Sequence, residues 1–322
     1  ETFRGCPRAS GHCAFCSERL KKKTYTRSEK AIAAEVKALA ANGIHHYRIG
    51  SQTDLLLYGA ERKNGEFILK PNRIRKLYRG IRRADPELKV LHMDNMNPAE
   101  IAKHPDKAAE IIEIIAKYNT AGDTAAFGLE SADPEVLKKN NIDSTAKENY
   151  FAIKLMNEIG GRRENGIPKL LPGLNFLHGL IGESEKTLEY NYQFLKRVLN
   201  NDLMLRRINI RQVVRLGSYP EVEYSQGEFK KYKEKINKEI NHQMLKRVFP
   251  TGVILNNLYS EKQRGSLNYC RQMGTYPILT AVIDSSDDFF AEAKVIDHGY
   301  RSITALKWPK KIKKKKKKEL EA

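Results

Sequence analysis

"TFRGCPRASGHCAFCSER", residues 2–19, holds three of the chain's four cysteines, Cys6, Cys13 and Cys16, and Cys270 stands alone far downstream. Thiols spaced C-x6-C-x2-C in one loop bind zinc or an iron–sulfur cluster. A structural zinc site takes four protein ligands. The fourth would have to be a nearby histidine such as His12, and His12 directly precedes Cys13, which makes coordination by both awkward. A cubane held by three cysteines leaves one iron open to a substrate or cofactor. The loop follows a few residues that read as a short strand, and it precedes a helix. What the rest of the chain does after such a loop decides the fold.

The following segment, "SEKAIAAEVKALAANG" (28–43), puts Ile32, Val36 and Leu39 on one helical face, with Thr26 or Ser28 as cap and Gly43 as stop. Strands are expected at 44–50, 88–93, 123–129, 170–180 and 205–214. Helices are expected near 71–83, 106–119, from Asp133-Pro134 onward, 145–159, 184–200 and, as one long charged helix, 226–248. Strand and helix alternate with short links, the pattern of parallel β/α units. Six strand candidates are too few for a closed eight-stranded barrel. The predicted fold class is therefore α/β, a partial (β/α)6 TIM-like barrel. In such barrels chemistry collects beyond the strand C-termini, where the cysteine loop falls. The segments "YPILTAVI", "FFAEAKVIDHG" and "YRSITALKW" (276–308) lie close together without helices between them. They predict a small C-terminal β-rich extension, antiparallel in its pairing. The expected division is a barrel over 1–250, the extension over 251–309 and a disordered lysine-rich tail over 310–322.

The chain has 322 residues, with 58 Lys and Arg against 39 Asp and Glu, a net +19. The stretch from Lys307 to Ala322 contributes nine lysines and two glutamates, and the body still carries +12. Basic residues cluster in "ERLKKKTYTR" (18–27), "NRIRKLYRGIRR" (72–83) and "LRRINIR" (205–211). Such charge suits a nucleic-acid partner, because neutralised phosphates release counterions; a solvated basic surface is the plain alternative. No apolar run approaches the ~18 residues of a membrane span, so no membrane partner is expected. One cluster and one lone cysteine do not make a disulfide framework, which places the chain in a reducing cytoplasm. Position 1 is Glu, so the chain is expected to begin inside a longer protein.

The loop resembles that of the radical S-adenosylmethionine superfamily, usually C-x3-C-x2-C with an aromatic before the last cysteine. Phe15 fills the aromatic position, while the first gap is longer, from Pro7 to His12. The resemblance extends to the strand ends. "RIGSQTD" (48–54) places Gly50-Ser51-Gln52 where the family has a Gly-rich turn, usually Gly-Gly-Glu. "FGLESADPEVLKKNN" (127–141) is similar to the fourth-strand segment of the methylthiotransferase-like branch, with Glu130-Ser131 where Gln-Ser often stands. "LNFLHGLIGESEKT" (174–187) resembles the fifth-strand segment, with Gly179 at its glycine position. The subgroup it most resembles is an archaeal set that carries a C-terminal helix-hairpin-helix; here the lysine tail stands where the hairpin would begin.

The resemblance implies a 4Fe–4S cluster on Cys6, Cys13 and Cys16, with S-adenosylmethionine chelated at the open iron. An electron, from a donor such as ferredoxin or flavodoxin, would break a sulfonium bond and yield methionine and a 5′-deoxyadenosyl radical. Gly50 would admit the cofactor's close approach. Ser51 and Gln52 would offer oxygens to its ammonium group, Glu130 or Ser131 would hold the ribose hydroxyls, and Phe15 would pack near the adenine. No catalytic side chain is assigned. The expected activity is modification of RNA, with tRNA as partner. The competing reading is a basic RNA-binding protein with a structural metal and no radical chemistry. Smaller rivals also stand: an ordinary turn at 50–52, a solvated acid at Glu130, a core histidine at His178 and a plain free thiol at Cys270.

Overall fold

The strand ahead of the cysteines is two residues long, Phe3–Arg4, and pairs antiparallel with Tyr25–Thr26. Gly5, at φ +85°, turns the chain directly into Cys6. Five parallel strands follow in chain order: His46–Arg48, Val90–His92, Asp123–Glu130, Leu170–His178 and Arg207–Gln212. The first two pair with each other, and Leu170–His178 takes the third and fifth on either side. A bridge between Asn95 and Ala126 joins the two groups. This is the partial TIM-like barrel, with the first of its six expected strands reduced to two residues. The computed structural model describes residues 1–8, 12–20, 24–214, 216–220, 222, 225–283 and 290–309. Lys21, Lys22, Lys23 and the tail from 310 onward lie outside the described residues.

Local sequence accounts for most of the helix starts. The Ser28 hydroxyl, not that of Thr26, accepts from the Ala31 N–H and caps Glu29–Ala40, which buries Ile32 and Val36. Asp133 caps Pro134–Lys139 through the Glu135 N–H at 3.0 Å. Thr145 and Glu148 form a reciprocal capping box on Ala146–Gly160. Each such cap contributes about 1 kcal/mol. The helices at Pro71–Ala84, Pro105–Tyr118 and Glu185–Asn200 set their apolar stripes against the sheet. The outer face of the strands is thereby covered, while their inner face lines the barrel interior.

One expectation needs refining and one needs correction. The helix expected over 226–248 forms without a break, but its winding is not α throughout. Gln226–Ile236 and His242–Val248 are joined by a π turn at Asn237–Asn241. The C-terminal strands also do more than form an antiparallel addition. Ile254–Arg264, Leu267–Gln272, Leu279–Ile283, Ser302–Trp308 and Phe290–His298 close, in that spatial order, into a five-stranded barrel. Within it Leu279–Ile283 pairs parallel with Ser302–Trp308. The reason is closure: Phe290–His298 returns to pair with Ile254–Arg264, and the last strand fills the gap left beside Leu279–Ile283. A closed barrel has no unpaired strand edge to manage.

A second apolar core fills this barrel, from Leu255, Leu258, Val282, Val295 and Ile303 among others. Phe249, which ends the preceding helix, Ile167 from the hairpin ahead of Leu170–His178, and Leu171 from that strand belong to the same cluster. The two barrels therefore share buried surface, which fixes where the loops of the smaller one project.

Candidate active site

The three thiols line one cavity of about 300 Å³, with His12, Phe15 and Glu130 also in its wall. Each cysteine is partly buried. The Arg8 guanidinium donates to Cys13 Sγ at 3.2 Å, and the Glu18 N–H donates to Cys16 Sγ at 3.4 Å. Arg8 is held by Asp143, whose carboxylate lies 2.9 Å from Nε. Burial pushes the Cys13 thiol up to about 12 and raises that of Cys6 as well. Left to themselves these sulfurs stay protonated, and a bound cation is what would make thiolates of them. His12 Nδ1 is buried with no hydrogen-bond partner among the described residues. Among those residues no three His, Cys, Asp or Glu side chains close on one metal ion.

Glu130 ends its strand at φ +60° and lines both this cavity and a larger one of about 700 Å³ beside it. Burial pushes its carboxyl up to about 8. It is a barrel-lining acid rather than a solvated loop acid. Gly128 makes room for it, since a Cβ there would lie 2.9 Å from Glu130 Oε1. Phe15 packs against Val136, Leu180 and Tyr219 and lines both cavities.

The other sequence-predicted residues stand back from the cavities. Gly50, Ser51 and Gln52 do follow the strand His46–Arg48, but the wall is formed by the next two residues, Thr53 and Asp54. Ser51 takes φ +63° and is exposed. Gln52 is buried, its Nε2 donating to the Ile49 carbonyl at 3.0 Å, with Oε1 unpartnered among the described residues. The Ser131 hydroxyl accepts from the Asp133 N–H at 3.2 Å and faces Asn191, toward the helices. Gly179, at φ +87°, forms a turn whose N–H is taken by Glu183. His178 is a buried partner of Glu183, 2.7 Å away, and stacks on Phe229. Cys270 lies in the core of the C-terminal barrel.

The chamber also takes residues from the last strand; Arg207, expected beside the cysteine loop if that strand reached the barrel mouth, and Arg211, a weaker candidate, do line it, while Asn175, Asn209 and Tyr276 were not expected there. Arg207, Asn209 and Arg211 alternate along the last strand, and Asn175 faces Asn209 across the ladder, their amides 2.9 Å apart. Polar residues at period two in a predicted strand were the available signal. Tyr276 had no such signal, because it arrives from the C-terminal barrel. Its hydroxyl donates to Asp94 Oδ1 at 2.9 Å, and Arg48 bonds the same oxygen at 2.6 Å. The Arg207 guanidinium lies 4.0 Å from the Tyr276 ring centre. The loop is pinned next door. The Thr275 N–H donates to His92 Nδ1 at 2.9 Å, and the Thr275 hydroxyl donates to the Met93 carbonyl at 2.9 Å. Burial lowers His92 to about 3, so the ring is neutral and its proton sits on Nε2. Four of the five arginines of 72–83 bond within the fold, Arg73 to Glu29, Arg75 to Glu110, Arg79 and Arg82 to Tyr118, and Arg83 is exposed.

Residues 1–195 match the model of the Radical SAM superfamily. The chain belongs to this superfamily. Two similar proteins are archaeal. The chain is 43% identical over 319 residues to the uncharacterized protein MJ0274 of Methanocaldococcus jannaschii, covering 94% of this chain and 59% of that protein. It is 40% identical over 317 residues to an uncharacterized protein of Archaeoglobus fulgidus, covering 95% and 59%. The chain thus spans about three fifths of the curated relatives it matches. Among solved structures, the radical SAM coproporphyrinogen III oxidase of Escherichia coli aligns at TM-score 0.49 and 13% identity, over 90% of this chain and 65% of that one.

The superfamily's cofactors are a 4Fe–4S cluster and S-adenosylmethionine, and the donor set fits them. A cubane takes each thiolate at a different iron, so it asks for three thiols around one cavity, with hydrogen-bond donors to the sulfurs. Cys6, Cys13 and Cys16 meet the first condition, and Arg8 and the Glu18 amide meet the second. Among the described residues no helix is long and apolar enough to cross a membrane.

Proposed function

We propose that this chain cleaves S-adenosylmethionine reductively at a 4Fe–4S cluster on Cys6, Cys13 and Cys16, and uses the resulting radical to modify RNA, with tRNA as the favoured substrate. The observation that carries the reading is the convergence of three thiols and the Glu130 carboxyl on one cavity that adjoins a larger chamber. When bound, cluster and cofactor together supply one-electron cleavage of a sulfonium bond, with the electron drawn from a ferredoxin- or flavodoxin-type donor. The protein's part is to bind, orient and exclude water. Arg8 and the Glu18 amide donate to the sulfurs. Glu130 is placed to accept from ribose hydroxyls, and Phe15 covers the cavity wall. Gly50-Ser51-Gln52, set back behind Thr53 and Asp54, would act on the cofactor through the backbone beside Asp94 of the chamber wall, while Ser131 and Gly179 shape the turns behind. Tyr276, Asp94 and Arg48 close one side of the chamber. The net charge of +19 and the arginines at the chamber support an RNA substrate in the cytoplasm. In domain terms, we take residues 1–250 as the catalytic barrel and 251–309 as a unit that completes the chamber.

Two substitutions test the cofactor side. A Cβ at Gly50 would meet only ordinary contacts within the chain, the nearest being Asp94 Oδ2 at 3.6 Å. Gly50→Ala is therefore expected to fold and keep its iron while S-adenosylmethionine affinity falls. Glu130→Ala is expected to lose about three- to tenfold in the same affinity, the scale of a hydrogen bond to a neutral carboxyl. Both are read by equilibrium binding on reconstituted protein, with iron content measured alongside. Unchanged affinity in both variants would remove the strand-end residues from the cofactor site. For the substrate, anaerobic turnover on unmodified tRNA followed by nucleoside mass analysis should show a new modified nucleoside, and its absence would overturn the tRNA assignment.

A further inference from the structure

Arg206 is a buried cation that meets no acid. It is 6% exposed, its guanidinium stacks 4.7 Å from the Phe249 ring centre, and its Nε has no hydrogen-bond partner among the described residues. The buried carboxylate that favours its charge, Asp123, is already spent on the Asn119 amide and the N–H groups of Met93 and Thr124. A guanidinium withdrawn from water without a partner costs several kcal/mol. A ligand that supplied the missing charge would offset that cost.

Arg206 opens onto a cavity of about 600 Å³ whose wall contains no Asp or Glu among the described residues. Arg207, Arg271 and Arg301 join it there, with Asn237 and Asn241 opposite. Arg271 is oriented by Glu261 at 2.9 Å and by the Pro277 carbonyl at 3.1 Å. Asn237 and Asn241, four positions apart, are the two ends of the π turn and share the helix face that lines the cavity; such turns recur at functional sites. The cavity runs beside Arg207–Gln212, which pairs on one side only among the described strands, so it enters where the partial barrel is open. Arg207, Asn209 and Tyr276 line both this cavity and the chamber containing Cys16 and Glu130.

We propose that this cavity binds a phosphate group of the substrate and so sets the neighbouring part of that substrate in the reaction chamber. A phosphate carries enough charge and enough acceptor oxygens to answer several guanidinium forks at once, whereas one carboxylate answers only one. The role in catalysis rests on the radical SAM reading above; the binding itself does not.

The test uses the full chain and three probes: inorganic phosphate, a nucleoside monophosphate and a short single-stranded RNA. Binding is followed by calorimetry and by the shift in unfolding midpoint. Wild type should be stabilised by phosphate. Arg206→Met should match or exceed wild-type stability in phosphate-free buffer, since it removes an unpaired buried charge, yet lose about tenfold or more in phosphate affinity. Arg301→Ala, at the exposed rim, should lose affinity by a smaller factor, and it serves as the second variant if Arg206→Met does not fold. RNA affinity falling in step in both variants assigns the phosphate to a nucleic-acid chain. The same losses for the monophosphate, with no RNA binding, assign it to a small nucleotide. The inference is overturned if wild type shows no phosphate-dependent shift, or if neither variant changes affinity. Cleavage of S-adenosylmethionine by wild type is read separately: its absence with phosphate binding intact would sink the enzyme reading and leave the cavity standing.

Discussion

Cys6→Ala, Cys13→Ala and Cys16→Ala are each expected to strip iron from the reconstituted protein to near background, while Cys270→Ala keeps the wild-type iron content. The cavity offers three thiols, and a cubane held by two would expose a second iron to exchange and loss. Cys270 is different in kind. It is 2% exposed within the core of the C-terminal barrel, beside the Asn268 carbonyl, and removing its sulfur leaves only a small void there. Iron is measured per chain after anaerobic reconstitution, and far-UV circular dichroism checks that each variant folds. Full iron in any one triad variant would remove that cysteine from the ligand set.

Gly274→Val is expected to release the loop that brings Tyr276 into the chamber. Gly274 sits at φ +144°, a region essentially reserved for glycine, and a Cβ would fall 2.6 Å from the His92 ring. His92 is buried and cannot give way without surrendering the bond from Thr275. Backbone strain of about 1–3 kcal/mol adds to the lost contacts. The expected result is lower stability in equilibrium denaturation, with iron content preserved because the cysteine loop lies on another part of the wall. Tyr276→Phe provides the gentler comparison. It removes only the hydrogen bond to Asp94, at about 1–3 kcal/mol because the acceptor is charged and partly buried, and keeps the stacked ring under Arg207. If Gly274→Val is as stable as Tyr276→Phe, the loop is not pinned as described.

The parts legible in the sequence were those encoded locally. Helix starts at Ser28, Asp133 and Thr145 follow from side chains that cap the next turn, and the strand order follows from alternating periodicity. The thiol loop was legible because its spacing alone restricts the chemistry. The floor of the chamber was not, since Tyr276 meets Asp94 across 182 positions and neither residue's neighbourhood announces the other. The π turn was equally hidden: Asn237 and Asn241 sit in a charged helical pattern that continues on both sides. Ile254–Arg264 and Leu267–Gln272 escaped notice because their exposed polar positions dilute the alternation, and with them went barrel closure and the parallel pair. Arg206 or Arg207 was expected at the barrel mouth facing a polyanion; the burial of Arg206 and its lack of an acid come from tertiary packing and were not legible.

The most direct test of the central claim is anaerobic incubation of the reconstituted protein with S-adenosylmethionine and a strong one-electron reductant, with 5′-deoxyadenosine quantified by mass spectrometry. Wild type should form it in a reductant-dependent manner, and Cys13→Ala should form none above background. Iron-loaded wild-type protein that yields no 5′-deoxyadenosine, or a Cys13→Ala variant that yields as much as wild type, would contradict the account.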